Sequence, residues 1–532
     1  KQESEGTDEN YQSSYAIHCA ALELLKKDGF QFRYTFEDKD DYNSYMERYT
    51  TAYTEKSDLI RAGGFKIYTS LDSSLQDMLQ ADIDQGLSSY TELQDNGKYA
   101  LQGAGVIVDN RSNYVVAIVG GRGSGDQFNR AYLSARQPGS TIKPLIDYGP
   151  AFDTGEYYPT RMVNDHKWED GPSNSGGNYH GNVTVREALN RSLNTVAWQI
   201  LEDIGVNYGL NYLGEMEFQK LTYVDNGVPS LSIGGFTNGL RVVDMAKGYS
   251  TLANYGVYND RTCITSLVHQ QEGELLKERK AVAKQVYRED SAFMLTDILK
   301  GTLTAPYGTG RGLVLENDMP AAGKTGTTND NYDRYFTGYT PYYCAAVWVG
   351  YKNNERISYS VNPAASLWRQ VMEKVHADLP DKSFNRPSSG LTTVSVCADS
   401  GMLATDACRA DSRGDRTVSY EVAVGTEPTT ECTLHKMVDI CTEGNCLAGE
   451  FCPAESIVQK GYLDYVREDY GESITASDDA YLISTLEKAV APTETSLADV
   501  PSTRRLQLRT PMTRMGGWIP AIPTGSRLIP TT

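Results

Sequence analysis

The chain has 532 residues, 40% hydrophobic and 22% charged, which is ordinary globular usage over a length that calls for two or three units. Its formal charge of −19 and pI near 4.9 argue against a nucleic-acid-binding protein. No apolar run reaches the length of a membrane span, and Lys1-Gln2-Glu3-Ser4-Glu5 is neither a signal peptide nor an initiator segment, so the expectation is a fragment whose anchor, if any, lies in a missing N-terminal part.

Residues 1–10 are polar and read as disordered. Tyr11 to Asp28 carry apolar residues at helical spacing, with Gly29 as a stop. A polar, Tyr-rich segment runs on to about Arg61, and 1–61 is taken as an N-terminal linker. Phe65–Thr69 alternates like a strand after Gly63-Gly64, and Asp72 can cap a helix over Leu75, Met78, Leu79 and Ile83. The runs 103–109 and 114–120, separated by Asn110-Arg111-Ser112-Asn113, read as a hairpin. A mostly helical stretch from about 140 to 300 separates it from a second strand group at 323–328, 335–339 and 343–351. Trp368 to Val375 closes the domain as a helix. Strands at both ends with helices between them predict an α+β domain over 62–385, with one antiparallel sheet covered by helices.

Beyond Arg386 the chain turns to Pro, Ser, Thr and Cys. Of nine cysteines, Cys19, Cys263 and Cys344 are scattered, and Cys344 reads as a small buried residue of a strand. Cys397, Cys408, Cys432, Cys441, Cys446 and Cys452 are clustered without a CxxC pair, which favours disulfides over zinc and an oxidising compartment; their pairing is open. The expectation is a small β-rich, disulfide-stapled unit at about 390–455, a helical segment at 456–490 and a disordered tail at 491–532, with 386–490 forming one C-terminal extension. No internal repeat is read.

Three short pieces carry chemistry. In Gln137-Pro138-Gly139-Ser140-Thr141-Ile142-Lys143, Pro-Gly sets a turn, and Ser140 and Lys143 share a helix face, placing an amine within reach of a hydroxyl. The helix start favours an anionic intermediate, and burial together with a second cation, Lys324, can bring the Lys143 pKa toward neutrality. Ser192-Leu193-Asn194 follows a helical run and adds a hydroxyl and a carboxamide. Lys324-Thr325-Gly326-Thr327-Thr328 reads as an edge strand whose glycine admits another chain closely. It is not a phosphate-binding loop, because Asp318 stands where the upstream glycine belongs. Each piece alone also reads as ordinary helix or strand punctuation; the set, in this order, points to acyl transfer through a serine ester.

With Tyr179–Leu189, Ile233–Gly239 and Asp333–Tyr339 around these motifs, the chain resembles the transpeptidase part of a class A (bifunctional) penicillin-binding protein of Gram-positive type. The cysteines and Gly425-Thr426-Glu427-Pro428 resemble C-terminal extensions of some members. The resemblance implies a transpeptidase/serine β-lactamase-like fold and an activity without cofactor or metal. It implies Ser140 as nucleophile, Lys143 as base, and Ser192 with Lys324 as proton relay. Asn194 would bridge Lys143 and substrate, Thr325, Gly326, Thr327 and Thr328 would bind substrate, and the N–H groups of Ser140 and Thr327 would form the oxyanion hole. Its partners would be peptidoglycan stem peptides, as D-Ala-D-Ala donor and amine acceptor, and β-lactams, at the extracellular face of the cytoplasmic membrane through the parent's anchor. No glycosyltransferase domain is read in the chain. A serine β-lactamase or D,D-carboxypeptidase is the competing enzyme. No deacylating carboxylate follows the second motif, where only Asp225 occurs between Tyr223 and Ser232. A β-lactam sensor or wall-binding module is the alternative of another class.

Overall fold

The computed structural model describes residues 9–123, 125–276, 281–358, 361–465 and 480–487. They form two compact units, the first holding residues up to 404 with 417–432, the second 405–416, 433–465 and 480–487.

The first unit opens with two helices, Tyr11–Lys27 (α1) and Lys39–Arg61 (α2). Asn10 caps α1 through the Ser13 N–H, and Asp38 caps α2 through the N–H groups of Asp40 and Asp41. The Tyr-rich segment was not expected to be a helix. Its tyrosines explain why it is one: Tyr45, Tyr49 and Tyr53 recur every fourth residue and stack as a ladder, with centroids 6.0 and 5.7 Å apart. Cys19, Ala20, Ala21 and Leu24 of α1 belong to the same apolar core as the central sheet.

That sheet has five antiparallel strands, Leu101–Asp109 (β1), Val115–Val119 (β2), Ala322–Thr327 (β3), Asp333–Tyr339 (β4) and Tyr343–Tyr351 (β5), in the order β3-β4-β5-β1-β2. The predicted hairpin and the predicted strand group become one sheet because β5 pairs along the whole of β1, from Tyr343↔Asp109 to Tyr351↔Leu101. Ser73–Gly86 (α3), capped by Asp72, precedes β1. Between β2 and β3 lie Val185–Arg191 (α4), Asn194–Ile204 (α5), Val242–Ala253 (α6) and Glu289–Thr304 (α7); Pro363–His376 (α8) follows β5.

Side-chain alternation sorts the strands onto two cores. Val106, Val108, Ala346 and Trp348 join the cluster that holds Met245 of α6 and Ile298 of α7. Ile107, Ala345, Val347 and Val349 join Ile83 of α3 and Trp368 of α8. Both sheet faces are covered, which is why β1 and β5 read as continuous apolar runs. The architecture is α+β, as expected.

The C-terminal part departs from expectation. In the first unit, Leu391–Cys397 (β6) pairs with Thr417–Ala423 (β7). In the second, His435–Cys441 (β8) lies between Cys446–Leu447 (β9) and Ile457–Leu463 (β10). The segment 456–490 was read as helical. Its described part is instead the strand β10, in register with β8 from His435↔Leu463 to Cys441↔Ile457, and a short turn at Ile483–Thr485. Gly461 gives the reason: a Cβ there would meet Ala407 O at 1.9 Å, so this strand is built for close backbone approach. The tail 491–532 lies outside the described residues.

A repeat escaped the sequence reading. Val394-Ser395-Val396-Cys397, Leu403-Ala404 and Cys408 recur in step as Val438-Asp439-Ile440-Cys441, Leu447-Ala448 and Cys452. Val396 bridges Leu403, and Ile440 pairs with Leu447. The Thr405 N–H points at Cys408 Sγ and the Gly449 N–H at Cys452 Sγ, each at 3.5 Å. The unit is a small cysteine hairpin used twice.

Trp368 is fully buried against Phe336, with its indole N–H on Gly338 O at 3.2 Å. Trp368→Ala is expected to cost about 3–5 kcal/mol, read as a lower denaturation midpoint in urea.

Candidate active site

Ser140 sits on a tight turn, Gly139–Ile142, at the floor of a cleft of about 1220 Å³. Ser192, Asn194, Thr325, Thr327 and Thr328 also line this cleft. Three elements far apart in the chain therefore meet as the motif order predicts. Lys143 and Lys324 lie beneath the lining, each without exposed surface.

The turn is held from two sides. Arg136 bridges to Leu240 through a pair of backbone hydrogen bonds of 2.9 and 2.8 Å, and Gln137 Oε1 accepts from the Phe236 N–H at 2.9 Å. Gly139 adopts φ +54°, and a Cβ on it would lie 2.7 Å from Thr327 O. From the facing strand, a Cβ on Gly326 would lie 2.4 Å from Pro138 O. The serine turn and the edge strand β3 thus touch backbone to backbone.

Lys143 begins the helical turn after Ser140. Its Nζ donates to Ser192 O at 2.8 Å, Asn194 Oδ1 at 2.8 Å and Leu193 O at 3.1 Å, with Ser192 Oγ at 3.4 Å. Burial brings its pKa down to about 7, against the opposing pull of the Asp147 and Asp165 carboxylates. Lys324, on β3, is pushed well below its ordinary value by burial first and by Lys143 second. Of the two causes expected for Lys143, burial is the one found; the charge effect between the lysines falls on Lys324.

Ser192 ends α4 in the left-handed conformation, φ +61°, uncommon for a residue with a side chain. That turn lets Leu193 leave α4 and Asn194 open α5. The Asn194 N–H donates to Asn174 Oδ1 at 2.7 Å, and its Nδ2 donates to Ser173 O at 2.9 Å, so its Oδ1 is directed to Lys143. Asn174 Nδ2 in turn donates to Asp165 Oδ1 at 2.7 Å, and the Thr195 hydroxyl shares that oxygen. Asp165 and Asn174 are not singled out by the sequence: Asp165 ends the short strand Met162–Asp165, Asn174 lies in the loop after it, neither carries a motif, and only the folded chain brings them to Asn194.

On β3, Thr325 Oγ1 donates to Thr309 Oγ1 at 2.7 Å, and Thr327 Oγ1 accepts from Arg334 Nη1 at 3.1 Å. Arg334 lies directly across the ladder from Thr327. Asn362 Nδ2 donates to Gly326 O and Tyr335 O, holding β3 and β4 at the cleft. Asp333 joins Arg136 at 2.7 Å and the Trp348 indole at 2.8 Å. Asp225, the one carboxylate noted after the second motif, is fully engaged by the N–H and hydroxyl groups of Thr222 and Thr237.

A buried amine with its pKa brought down to about 7, against Ser192 and under the cleft that Ser140 lines, with an edge strand of hydroxyls, is the outfit of a serine acyl-transfer site. The model of the penicillin-binding protein transpeptidase domain matches residues 103–373, and that of the penicillin-binding protein 1A C-terminal domain matches 387–437. The chain belongs to the penicillin-binding protein transpeptidase family, as the transpeptidase portion of a class A member of Gram-positive type. It is 32% identical to penicillin-binding protein 1A of Clostridium botulinum strain Hall, over 87% of this chain and 55% of that protein. It is 31% identical to penicillin-binding protein 4 of Bacillus subtilis, over 59% of this chain and 49% of that protein. The chain spans about half the length of the curated relatives it matches. Its fold is similar to that of penicillin-binding protein 1A from Haemophilus influenzae (TM-score 0.58, 17% identity, 77% of this chain and 82% of that one). It is likewise similar to the PonA1 protein of Mycobacterium tuberculosis solved with penicillin V (TM-score 0.54, 21% identity, 65% and 96%).

Gly139→Ala is expected to push β3 away from Ser140 and slow acylation by a β-lactam about a hundredfold, the size of effect a small misplacement of reacting groups produces. Stopped-flow acylation, with circular dichroism to show an intact fold, checks this.

Proposed function

We propose that this chain is a peptidoglycan D,D-transpeptidase that works through an acyl-enzyme on Ser140. The observation that carries the reading is the full burial of Lys143, three residues after Ser140 and against Ser192 and Asn194, which brings its pKa down to about 7. Such an amine accepts a proton at neutral pH, as the base beside a nucleophilic serine must.

Ser140 Oγ attacks the penultimate D-Ala carbonyl of a stem peptide ending in D-Ala-D-Ala, and its proton passes to Lys143. The N–H groups of Ser140 and Thr327 hold the oxyanion; one such donor is typically worth about 3 kcal/mol. The backbone contact between Gly139 and Thr327 supports this pairing of donors from two separate elements. Asn194 aligns Lys143 and the substrate amide. Thr325 and Thr327 hold the terminal carboxylate beside Lys324, and Gly326 lets the peptide lie along β3. The tetrahedral intermediate collapses as the C–N bond breaks, and the proton held by Lys143 passes by way of Ser192, with Lys324 behind it, to the departing D-Ala amine, leaving Lys143 neutral. An amine of a neighbouring stem then attacks the ester, forms the cross-link and frees Ser140. β-Lactams enter by the same attack and remain as esters. The parent acts at the outer face of the cytoplasmic membrane, where this substrate lies. No helix among the described residues is long and apolar enough to cross a membrane.

Slow hydrolysis of the ester is expected because Asp225, the carboxylate after the second motif, is buried away from the cleft lining and engaged by Thr222 and Thr237, and Asp333 at the cleft is engaged by Arg136 and Trp348. This separates the reading from a β-lactamase. Release of D-Ala with transfer to an added amine separates it from a sensor and from a carboxypeptidase.

A fluorescent penicillin is expected to label the wild type with a lifetime much longer than the labelling step and to leave Ser140→Ala unlabelled; rapid loss of label, or no labelling, overturns the reading. The second-order acylation rate is expected to rise with pH through about 7 and then level, because Lys143 accepts a proton only above its pKa. A rate independent of pH between 5.5 and 8.5, measured with a neutral-range buffer series, removes Lys143 as the base.

A further inference from the structure

The second unit holds a buried cluster that acyl transfer does not use. Cys408 has no exposed surface, His435 is 3% exposed and Asp411 5%. Cys408 Sγ lies 3.7 Å from His435 Nδ1, and His435 Nε2 lies 2.8 Å from Asp411 Oδ2. Arg413 holds the same carboxylate through Nε at 2.9 Å.

We propose that Cys408 and His435 are two ligands of a structural zinc ion. Three features of the unit carry this. A thiolate and an imidazole on one tetrahedral zinc stand about 3.6 Å apart, given bonds of about 2.3 and 2.0–2.1 Å, and the observed separation matches. Asp411 Oδ2 and Arg413 Nη2 both approach His435 Nε2, at 2.8 and 3.0 Å, while Nδ1 faces the sulfur; zinc binding selects the tautomer in which Nε2 donates to the carboxylate, and a carboxylate behind the far nitrogen is how metal-bound histidines are oriented. Thr405 donates to Cys408 Sγ from its N–H at 3.5 Å, and its hydroxyl is 3.4 Å away, which suits a sulfur carrying negative charge. A catalytic Cys-His-Asp arrangement needs an open cleft, and Cys408 has no surface.

The remaining coordination positions are filled from the cysteine-rich stretch that contains both residues. Binding displaces the Cys408 thiol proton to solvent and forms Zn–S and Zn–N bonds; no electron is transferred. The region around Cys408 is thus held by metal, where the cysteine spacing alone favours disulfides.

The test uses the full chain, purified without chelator under reducing conditions, with metal content read by mass spectrometry and Ser140 labelling by fluorescent penicillin as an independent check of folding. About one zinc per chain that depends on Cys408 and His435 is expected, falling to none in Cys408→Ser and His435→Ala. Asp411→Asn keeps the ligands and is expected to weaken zinc affinity about 10–100-fold in a chelator competition. Cobalt(II) in place of zinc should give tetrahedral d–d bands and a thiolate charge-transfer band, both lost in Cys408→Ser. Serine variants of the other five clustered cysteines then identify the remaining ligands. No zinc after dialysis of the reduced wild type against zinc(II) overturns the proposal. So does full zinc content in both ligand variants, or a disulfide at Cys408 in a non-reducing peptide map.

Discussion

Two lysine side chains removed from water beneath one cleft set the terms for the rest of the first unit. A buried ammonium is costly unless it is paired or gives up its proton. The fold meets both conditions at Lys143: its proton affinity is depressed, and oxygen acceptors surround its nitrogen. Those acceptors come from the break between α4 and α5, so the break must be held where it is. The left-handed Ser192, the docking of Asn194 on Asn174 and the buried Asp165 behind it follow from that requirement. Lys324 adds a second buried amine on the edge strand, where burial first and Lys143 second disfavour its proton.

The sheet supplies the rigidity this arrangement needs. Covered on both faces, it has no freedom to slip, since a shift of one residue along β5 would exchange the side chains of two different cores. The edge strand β3 is fixed through β4 and Asn362 at one border and through the serine turn at the other. Nothing flexible is interposed between the turn that carries Ser140 and the strand that carries Thr327. The proposed oxyanion donors therefore inherit the precision of the sheet, the kind of pre-organisation on which electrostatic catalysis rests.

Legibility from sequence divides along physical lines. The sheet strands were readable because alternation and length survive burial, and the three motifs because each packs its chemistry within a few residues. Their meeting was legible only as a set. Asp165 and Asn174 were not, since their importance comes from contacts across the fold and their neighbours carry no periodic signal. Tyr45, Tyr49 and Tyr53 show the reverse failure: the spacing was present, but a polar, aromatic composition masked the helix. The strand Ile457–Leu463 was misread because its apolar residues also suit a helical spacing; Gly461, set for a close backbone approach, was the cue. The repeated cysteine hairpin was missed because it is short and its second copy carries an extra cysteine, Cys446, where the first has Met402.

The contact between Gly139, Gly326 and Thr327 has a consequence for variation under antibiotic pressure. Its geometry is written in the absence of side chains at Gly139 and Gly326, so any substitution at either glycine adds atoms where none fit and, on the proposed function, harms turnover of the substrate along with acylation by the drug. A chain selected for tolerance has little room at this seam. Change has to come from the walls of the cleft, where Tyr307, Tyr332 and Asn354 present side chains rather than backbone. The part of the site that reads the bond to be broken is nearly immutable, and the part that reads the rest of the ligand can drift.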